Sequence, residues 1–145
     1  MIFLDTGFLY ALFAEDDAHH LRVREVLEGY RGLRLSDFVL TTNLVVAETI
    51  TLTRSKGHPD PGLRHDRAVK IGRRLWAGRF GNLHRVTEEE ELAAFDFFAR
   101  HRDKSYSFVD CVSFVVMERL GIREAFAVDA DFTHRFIALP GPLPT

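Results

Sequence analysis

Cysteine is almost missing from this chain: Cys111 is the only one in 145 residues. An intramolecular disulfide is therefore excluded, and a reducing compartment is compatible with the composition. Long apolar runs are missing as well. No stretch approaches the ~20 residues that a membrane helix needs, and the start, Met1-Ile2-Phe3-Leu4-Asp5, has no basic leader region and meets an acid at position 5. The expectation is a cytoplasmic protein with no membrane part. No G-x-S-x-G, P-loop or dinucleotide fingerprint occurs. Zinc spacing is absent too, since the seven His are scattered and the adjacent His19-His20 would point different ways on a helix. There is no internal repeat, low-complexity tract or linker.

Core material, by contrast, is plentiful. Hydrophobic residues make up 46% of the chain and thirteen are Phe. A single domain spanning residues 1–145 is expected, burying roughly two thirds of its unfolded surface. The net charge of −2 hides an uneven distribution. Between Arg54 and Arg79 stand eight Lys/Arg against Asp60 and Asp66, a formal +6. A solvated helix surface explains that stretch as well as a nucleic-acid face does. Glu88 to Glu91 form an acidic run, read as the exposed first turn of a helix whose dipole favours acids.

Short apolar runs alternate with amphipathic segments. Strands are predicted at Ile2–Asp5, Phe38–Leu40, Leu83–Val86, Ala125–Asp129 and Phe136–Leu139. Helices are predicted over Phe8–Phe13, His19–Tyr30 (Leu21, Val23, Val26 and Leu27 inward), Leu44–Arg54, and His65–Ala77 (Val69, Leu75 and Trp76 inward). Two more follow, Glu88–Arg100 (Leu92, Phe95 and Ala99 inward) and Phe108–Leu120, the latter closed by Gly121. The β-branched Val45, Val46, Thr49, Ile50 and Thr51 favour a strand locally, but the segment's length favours a helix. Gly57-His58-Pro59-Asp60-Pro61-Gly62 reads as a loop. Strands separated by helices imply a three-layer α/β/α sandwich around a buried parallel sheet.

Acids embedded in core-forming sequence call for a reason. Asp5 follows Ile2-Phe3-Leu4, and Asp129 follows Ala125-Phe126-Ala127-Val128, so each ends a buried strand. Ligand sites of open parallel sheets form beyond the carboxyl ends of strands, where the strand order reverses. If these two strands flank the reversal, the acids share one crevice; otherwise each simply caps the helix that follows. Glu48 lies between Leu44 and Leu52 on an inward helical stripe, where a charge needs a metal or an arginine partner. Ser107-Phe108-Val109-Asp110 has capping-box spacing, so Asp110 by itself reads as a helix cap. Converging carboxylates repel unless a cation is present, and an all-oxygen set selects Mg²⁺ or Mn²⁺. Hydrolysis of a phosphodiester is the chemistry that suits such a centre.

Four segments carry a resemblance. Ile2-Phe3-Leu4-Asp5-Thr6-Gly7, Val46-Ala47-Glu48-Thr49, Tyr106 to Phe114 around Asp110, and Ala127-Val128-Asp129-Ala130-Asp131-Phe132 resemble, in order and spacing, the acidic motifs of PIN domains. The likeness covers nearly the whole chain and is greatest to VapC-type toxins of toxin–antitoxin pairs. It implies a five-stranded parallel sheet in the order 3-2-1-4-5, cleavage of RNA with Mg²⁺ or Mn²⁺, a homodimer, and inhibition by a small antitoxin. By position, Asp5 and Asp110 would be the principal metal ligands, with Glu48 and Asp129 completing a catalytic quartet. Thr6 would support the pocket through its hydroxyl, and Asp131 is a second acid whose part relative to Asp129 stays open. Gly7 stands where relatives often carry Ser or Asn, and the Gly57–Asp66 loop is long for the family. A housekeeping RNA-processing PIN nuclease is the alternative within the class. Outside it, a phosphatase of the haloacid dehalogenase type would want an acid at Gly7. A receiver-like binding domain would want an acid pair after the first strand and a lysine near the last; Lys56, Lys70 and Lys104 are not so placed. A non-catalytic module would be expected to have lost part of the acid set. Cys111 reads as a packed helix residue, with no base beside it to make it a nucleophile.

Overall fold

A computed structural model describes residues 1–145. The strands are β1 (Ile2–Leu4), β2 (Val39–Thr42), β3 (Asn82–His84), β4 (Glu124–Ala127) and β5 (Ile137–Pro140). The helices are α1 (Thr6–Phe13), α2 (His20–Glu28), α3 (Asn43–Ser55), α4 (Pro61–Trp76), α5 (Glu88–Arg100) and α6 (Phe108–Leu120), with short 3₁₀ turns at Leu35–Asp37 and Ala130–His134. All strand pairs are parallel and the order is β3-β2-β1-β4-β5, as the family resemblance implies. β1 therefore lies between β2 and β4, with Phe3 opposite Leu40 on one side and Ala125 on the other. Chain direction reverses its progress across the sheet at β1 and β4, which opens the crevice just beyond Leu4 and Ala127.

The core is built on Phe rings. Phe8 stacks on Phe126 at 5.0 Å between centroids, and Phe114 meets Phe132 edge-on at 5.0 Å. Because α1 presses Phe8 and Leu9 onto the sheet with no exposure, the chain leaving β1 at Asp5 has little freedom.

Several helical faces differ from those that hydrophobicity alone predicts. In α5 the inward residues are Glu90, Ala94 and Phe97, while Leu92 and Phe95 are more than 60% exposed and Ala99 is also outside. The reason lies at the helix start. Thr87 and Glu90 form a reciprocal capping box, and His84 Nε2 lies 2.9 Å from the Glu90 carboxylate. That pairing turns Glu90 inward and sets the positions i+4 and i+7 facing the core. One residue of the acidic run is thus buried, contrary to its reading as solvated surface. In α4 the buried side is Ala68, Ile71, Gly72 and Leu75, not Val69 and Trp76. Gly72 lets α3 approach, since a Cβ there would meet Ile50 at 3.0 Å. Leu21 of α2 is exposed as well. Nor is there a long loop up to Asp66: Asp60 caps α4 by accepting from Gly62 N–H, and Pro61 occupies the first turn, where its missing N–H costs nothing. In α3 the Thr49 and Thr53 hydroxyls donate to the carbonyls of Val45 and Thr49, which satisfies them inside a helix their branching disfavours.

Burial works to raise the Glu90 pKa, but the Thr87 and His84 hydrogen bonds outweigh it and leave it below the usual range. A depressed carboxyl stabilises the fold above its unfolded pKa and loses that contribution as pH falls through the folded value. Glu90→Ala is expected to cost about 2 kcal/mol in urea unfolding at pH 7, from the lost cap and the unpaired neighbours. Glu91→Ala, on the exposed side, should stay within about 0.5 kcal/mol of the parent.

Candidate active site

Three of the predicted acids stand at the start of a helical turn, Asp5 and Asp129 after strands and Asp110 after the loop that follows α5, and each is a cap or part of a capping box. Asp5 caps α1, its Oδ2 accepting from Gly7 N–H at 3.3 Å. Asp110 closes the capping box of α6, its Oδ2 accepting from Ser107 N–H at 3.0 Å. Asp129 caps the 3₁₀ turn after β4, its Oδ1 accepting from Asp131 N–H at 2.9 Å. Each cap uses one oxygen of its carboxylate and leaves the other free of any protein hydrogen bond. Capping and site-building, weighed above as rivals, are one arrangement: the backbone N–H fixes the carboxylate's orientation.

Asp5 and Asp110 are buried, Glu48 and Asp131 are partly exposed, and Asp129 faces solvent. Asp110, Asp129 and Asp131 offer one oxygen each within 4.8 Å of one another. Asp5 and Glu48 lie outside that trio and are tied to it through charge. Both feel Asp110 or are felt by it, and burial followed by the charge of Asp110 drives the Asp5 pKa to about 8. Thr6 and Gly7 N–H oppose that rise, and Glu48 adds to it. Burial also raises Asp110, to about 6, with the Ser107 N–H opposing and Asp129 and Glu48 reinforcing. Asp131 is raised by burial and by Asp129, with His134 and Lys104 acting against it. The five acids form a single electrostatic unit. Glu48 makes no ion pair with an arginine, and it is not fully inward. Leu44, Glu48 and Leu52 are all only partly buried, the buried side of α3 being Val45, Val46, Thr49 and Thr53.

Two hydroxyls complete the surroundings. Thr6 Oγ1 and Ser113 Oγ are buried and have no hydrogen-bond partner. Thr6 follows Asp5 directly, and Ser113 lies one turn after Asp110 on the same face of α6. Ser113 was not singled out from the sequence; a lone hydroxyl inside Cys111-Val112-Ser113-Phe114-Val115-Val116 was the available signal. Gly7 has a steric role: a Cβ there would meet Val128 at 3.0 Å, so the smallest residue lets α1 close over β4's exit. Burial pushes the Cys111 thiol up to about 11, which suits packing and not nucleophilic attack.

Such a sheet, with carboxylates gathered beyond the strands at its reversal, defines a class of α/β nucleases that work through a divalent ion. Within that class the chain belongs to the PIN-domain family, whose model matches residues 2–135. It is 34% identical over 134 residues to the 23S rRNA-specific endonuclease VapC20 of Mycobacterium tuberculosis, covering 92% of each protein. The crystal structure of that VapC20, described as a Sarcin-Ricin loop cleaving toxin, aligns with a TM-score of 0.79 at 31% identity, over 92% of this chain and 94% of that one. The structure of FitAB bound to an IR36 DNA fragment aligns with a TM-score of 0.62 over 100% and 99% of the two chains; at 19% identity it speaks for the fold alone.

The family implies a divalent cation, and the residues present fit one. Every donor is an oxygen, each capping acid keeps one oxygen free, and the unpartnered Thr6 hydroxyl is a polar atom waiting for a ligand or a water. Without metal, the raised pKa values have a thermodynamic consequence. A carboxyl whose folded pKa exceeds its unfolded one binds more protons in the folded state, so stability falls as pH rises between the two. Metal-free protein should therefore lose melting temperature from about pH 4 up to about pH 8, the value reached by Asp5. Asp5→Asn should flatten most of that slope, and Mg²⁺ or Mn²⁺ should raise the wild-type melting temperature most at the alkaline end. A slope of the opposite sign in calorimetry would refute the buried-acid account.

Proposed function

We propose that this protein is a Mg²⁺- or Mn²⁺-dependent endoribonuclease acting as the toxin of a toxin–antitoxin pair, with Asp5, Glu48, Asp110 and Asp129 as its catalytic carboxylates. The observation that carries the reading is the burial of Asp5 and Asp110 within each other's field, with no basic partner, at the strand reversal. A fold does not by itself specify a function; here the acid constellation and the likeness to a 23S rRNA endonuclease point the same way. The whole chain is taken as one nuclease domain, working in the cytoplasm as a homodimer and held in check by a small antitoxin. No helix is long and apolar enough to cross a membrane.

In this reading Asp5 and Asp110 would hold the ion. A divalent ion so held lowers the pKa of a bound water and offsets charge on the phosphate. Glu48, partly exposed, unpaired and coupled by charge to Asp5 and Asp110, would orient the attacking water. Asp129 and Asp131 close the solvent side, Asp129 being held by the 3₁₀ turn it caps. Thr6 would support the pocket through its unpartnered hydroxyl, and the Ser107 and Gly7 amides keep the two buried carboxylates from turning away.

Purified protein is expected to cut RNA with Mg²⁺ or Mn²⁺ and to stop on EDTA addition. Asp5→Asn and Asp110→Asn should each leave less than about one hundredth of the wild-type rate. Equal cleavage by these variants would reject the assignment. Induced expression should arrest growth and Asp5→Asn expression should not, whereas a housekeeping processing nuclease would leave growth unaffected in both.

A further inference from the structure

The outward face of α4 is strongly cationic, and none of its cations makes an ion pair. Ala68, Ile71, Gly72 and Leu75 bury one side of the helix, and Arg67, Lys70, Arg73 and Arg74 occupy the other. None of these four, nor Arg54, Lys56 or Arg79 around them, makes an ion pair. Asp66, one turn before Lys70, makes none either. Like charges three and four apart on a helix repel, and an ordinary solvated face relieves this with interleaved acids. This one has a single acid of its own, Asp66, after its cap. Glu15 and Asp16, from the turn after α1, share a hollow with Lys56, Arg67, Lys70 and Arg74 but form no ion pair with them, so the cations outnumber the acids there.

The face is also shaped. A hollow of about 500 Å³ is lined by Lys70, Arg73, Arg74 and Arg79. A second, of about 260 Å³ in the groove against α3, is lined by Arg54, Arg73 and Trp76. The two share His65, Val69 and Arg73, so they form one surface along the helix. At its end Trp76 is 46% exposed, with the Arg85 guanidinium 5.1 Å from its ring centroid. An exposed indole stacked on arginine and flanked by unpaired cations suits sugar–phosphate and base together.

We infer that the α4 face from Arg54 to Arg79 docks the phosphate backbone of the RNA substrate outside the cleaved bond. The inference rests on the nuclease reading and extends it to substrate capture. Charge favours RNA as the occupant. The chain as a whole is −2 and its chemistry sits in an acidic cluster that repels a polyanion, so an orienting positive face is needed elsewhere. α4 supplies it within one helix of Glu48, because α4 packs along α3, and a helix is only about 10–12 Å across. Phosphate contacts position RNA without reading sequence; the cut site would be chosen elsewhere.

The test uses the full chain as Asp5→Asn without added divalent metal, and a fluorescent RNA stem-loop of sarcin–ricin sequence as the probe. Binding is followed as a function of salt, with and without Lys70→Ala, Arg73→Ala and Arg74→Ala together. Each lost phosphate contact reduces the slope of log K against log salt by about 0.7–0.9. The triple change should make the slope shallower by about two in all and weaken binding at low salt at least tenfold. Arg73→Lys with Arg74→Lys, which keeps charge, should retain most of the slope. In the catalytically intact protein, the triple change should raise KM with kcat preserved. An unchanged slope in the triple variant overturns the inference, as does an effect confined to inhibition by an acidic protein partner. Failure of the nuclease reading would look different: no cleavage by the wild type, with the salt-dependent difference in binding still present.

Discussion

Asp5 and Asp110 are held out of water in each other's field, and the surrounding architecture is organised around making that tolerable. Two carboxylates in this position destabilise a fold unless something neutralises them, by proton or by cation. The protein brings no arginine or lysine to them. It provides backbone amides instead, which fix the direction of each carboxylate without cancelling its charge. An arginine partner would have made a structural ion pair; amides leave a directed negative centre that asks for a mobile cation.

That solution depends on where the amides are. Each buried acid stands at the first turn of a helix, where N–H groups are unsatisfied by the helix itself. The parallel sheet delivers β1 and β4 side by side with their carboxyl ends together, so the starts of α1 and of the turn after β4 open onto one crevice. α6 contributes its start by packing across the sheet through Phe114 and Met117. The fold thus gathers three helix starts at one point, each with an acid as its cap or in its first turn. Glu48 alone comes from mid-helix, and among the four proposed catalytic acids it alone has no amide to hold it. This asymmetry fits a division of labour in which fixed acids hold and a freer one orients water.

Much of this was legible in order and spacing. Strand-end placement pointed to Asp5 and Asp129 as candidates, whereas the stripe that pointed to Glu48 is only partly buried, the buried side of α3 being Val45, Val46, Thr49 and Thr53. Asp110 could not be separated from a helix cap by its spacing, because it is a helix cap; the geometry adds that the same carboxylate lies near Asp129 and Asp131. Facing was less legible. Leu92 and Phe95 look like core residues on α5, yet a hydrogen-bonded Glu90 and His84 decide which way that helix turns. Polar pairing overrode hydrophobicity there, and a pattern of apolar residues carries no information about such a pair. The start of α4 was obscured for a related reason. Asp60-Pro61-Gly62 has loop composition, but as a cap followed by proline it begins a helix.

The misread helix has a further bearing on function. The predicted His65–Ala77 helix already carries Arg67, Lys70, Arg73 and Arg74, and the start at Pro61 adds Arg64, so the segment's excess charge is presented on one continuous helix. A loop with the same composition would spread its charge over many conformers and lose entropy on binding a phosphate backbone. A helix presents it at fixed spacing, already ordered before RNA arrives. Acidic centre and basic face then divide the work between them. The centre supplies chemistry but repels the substrate, and the face attracts the substrate but holds no group that could cut it.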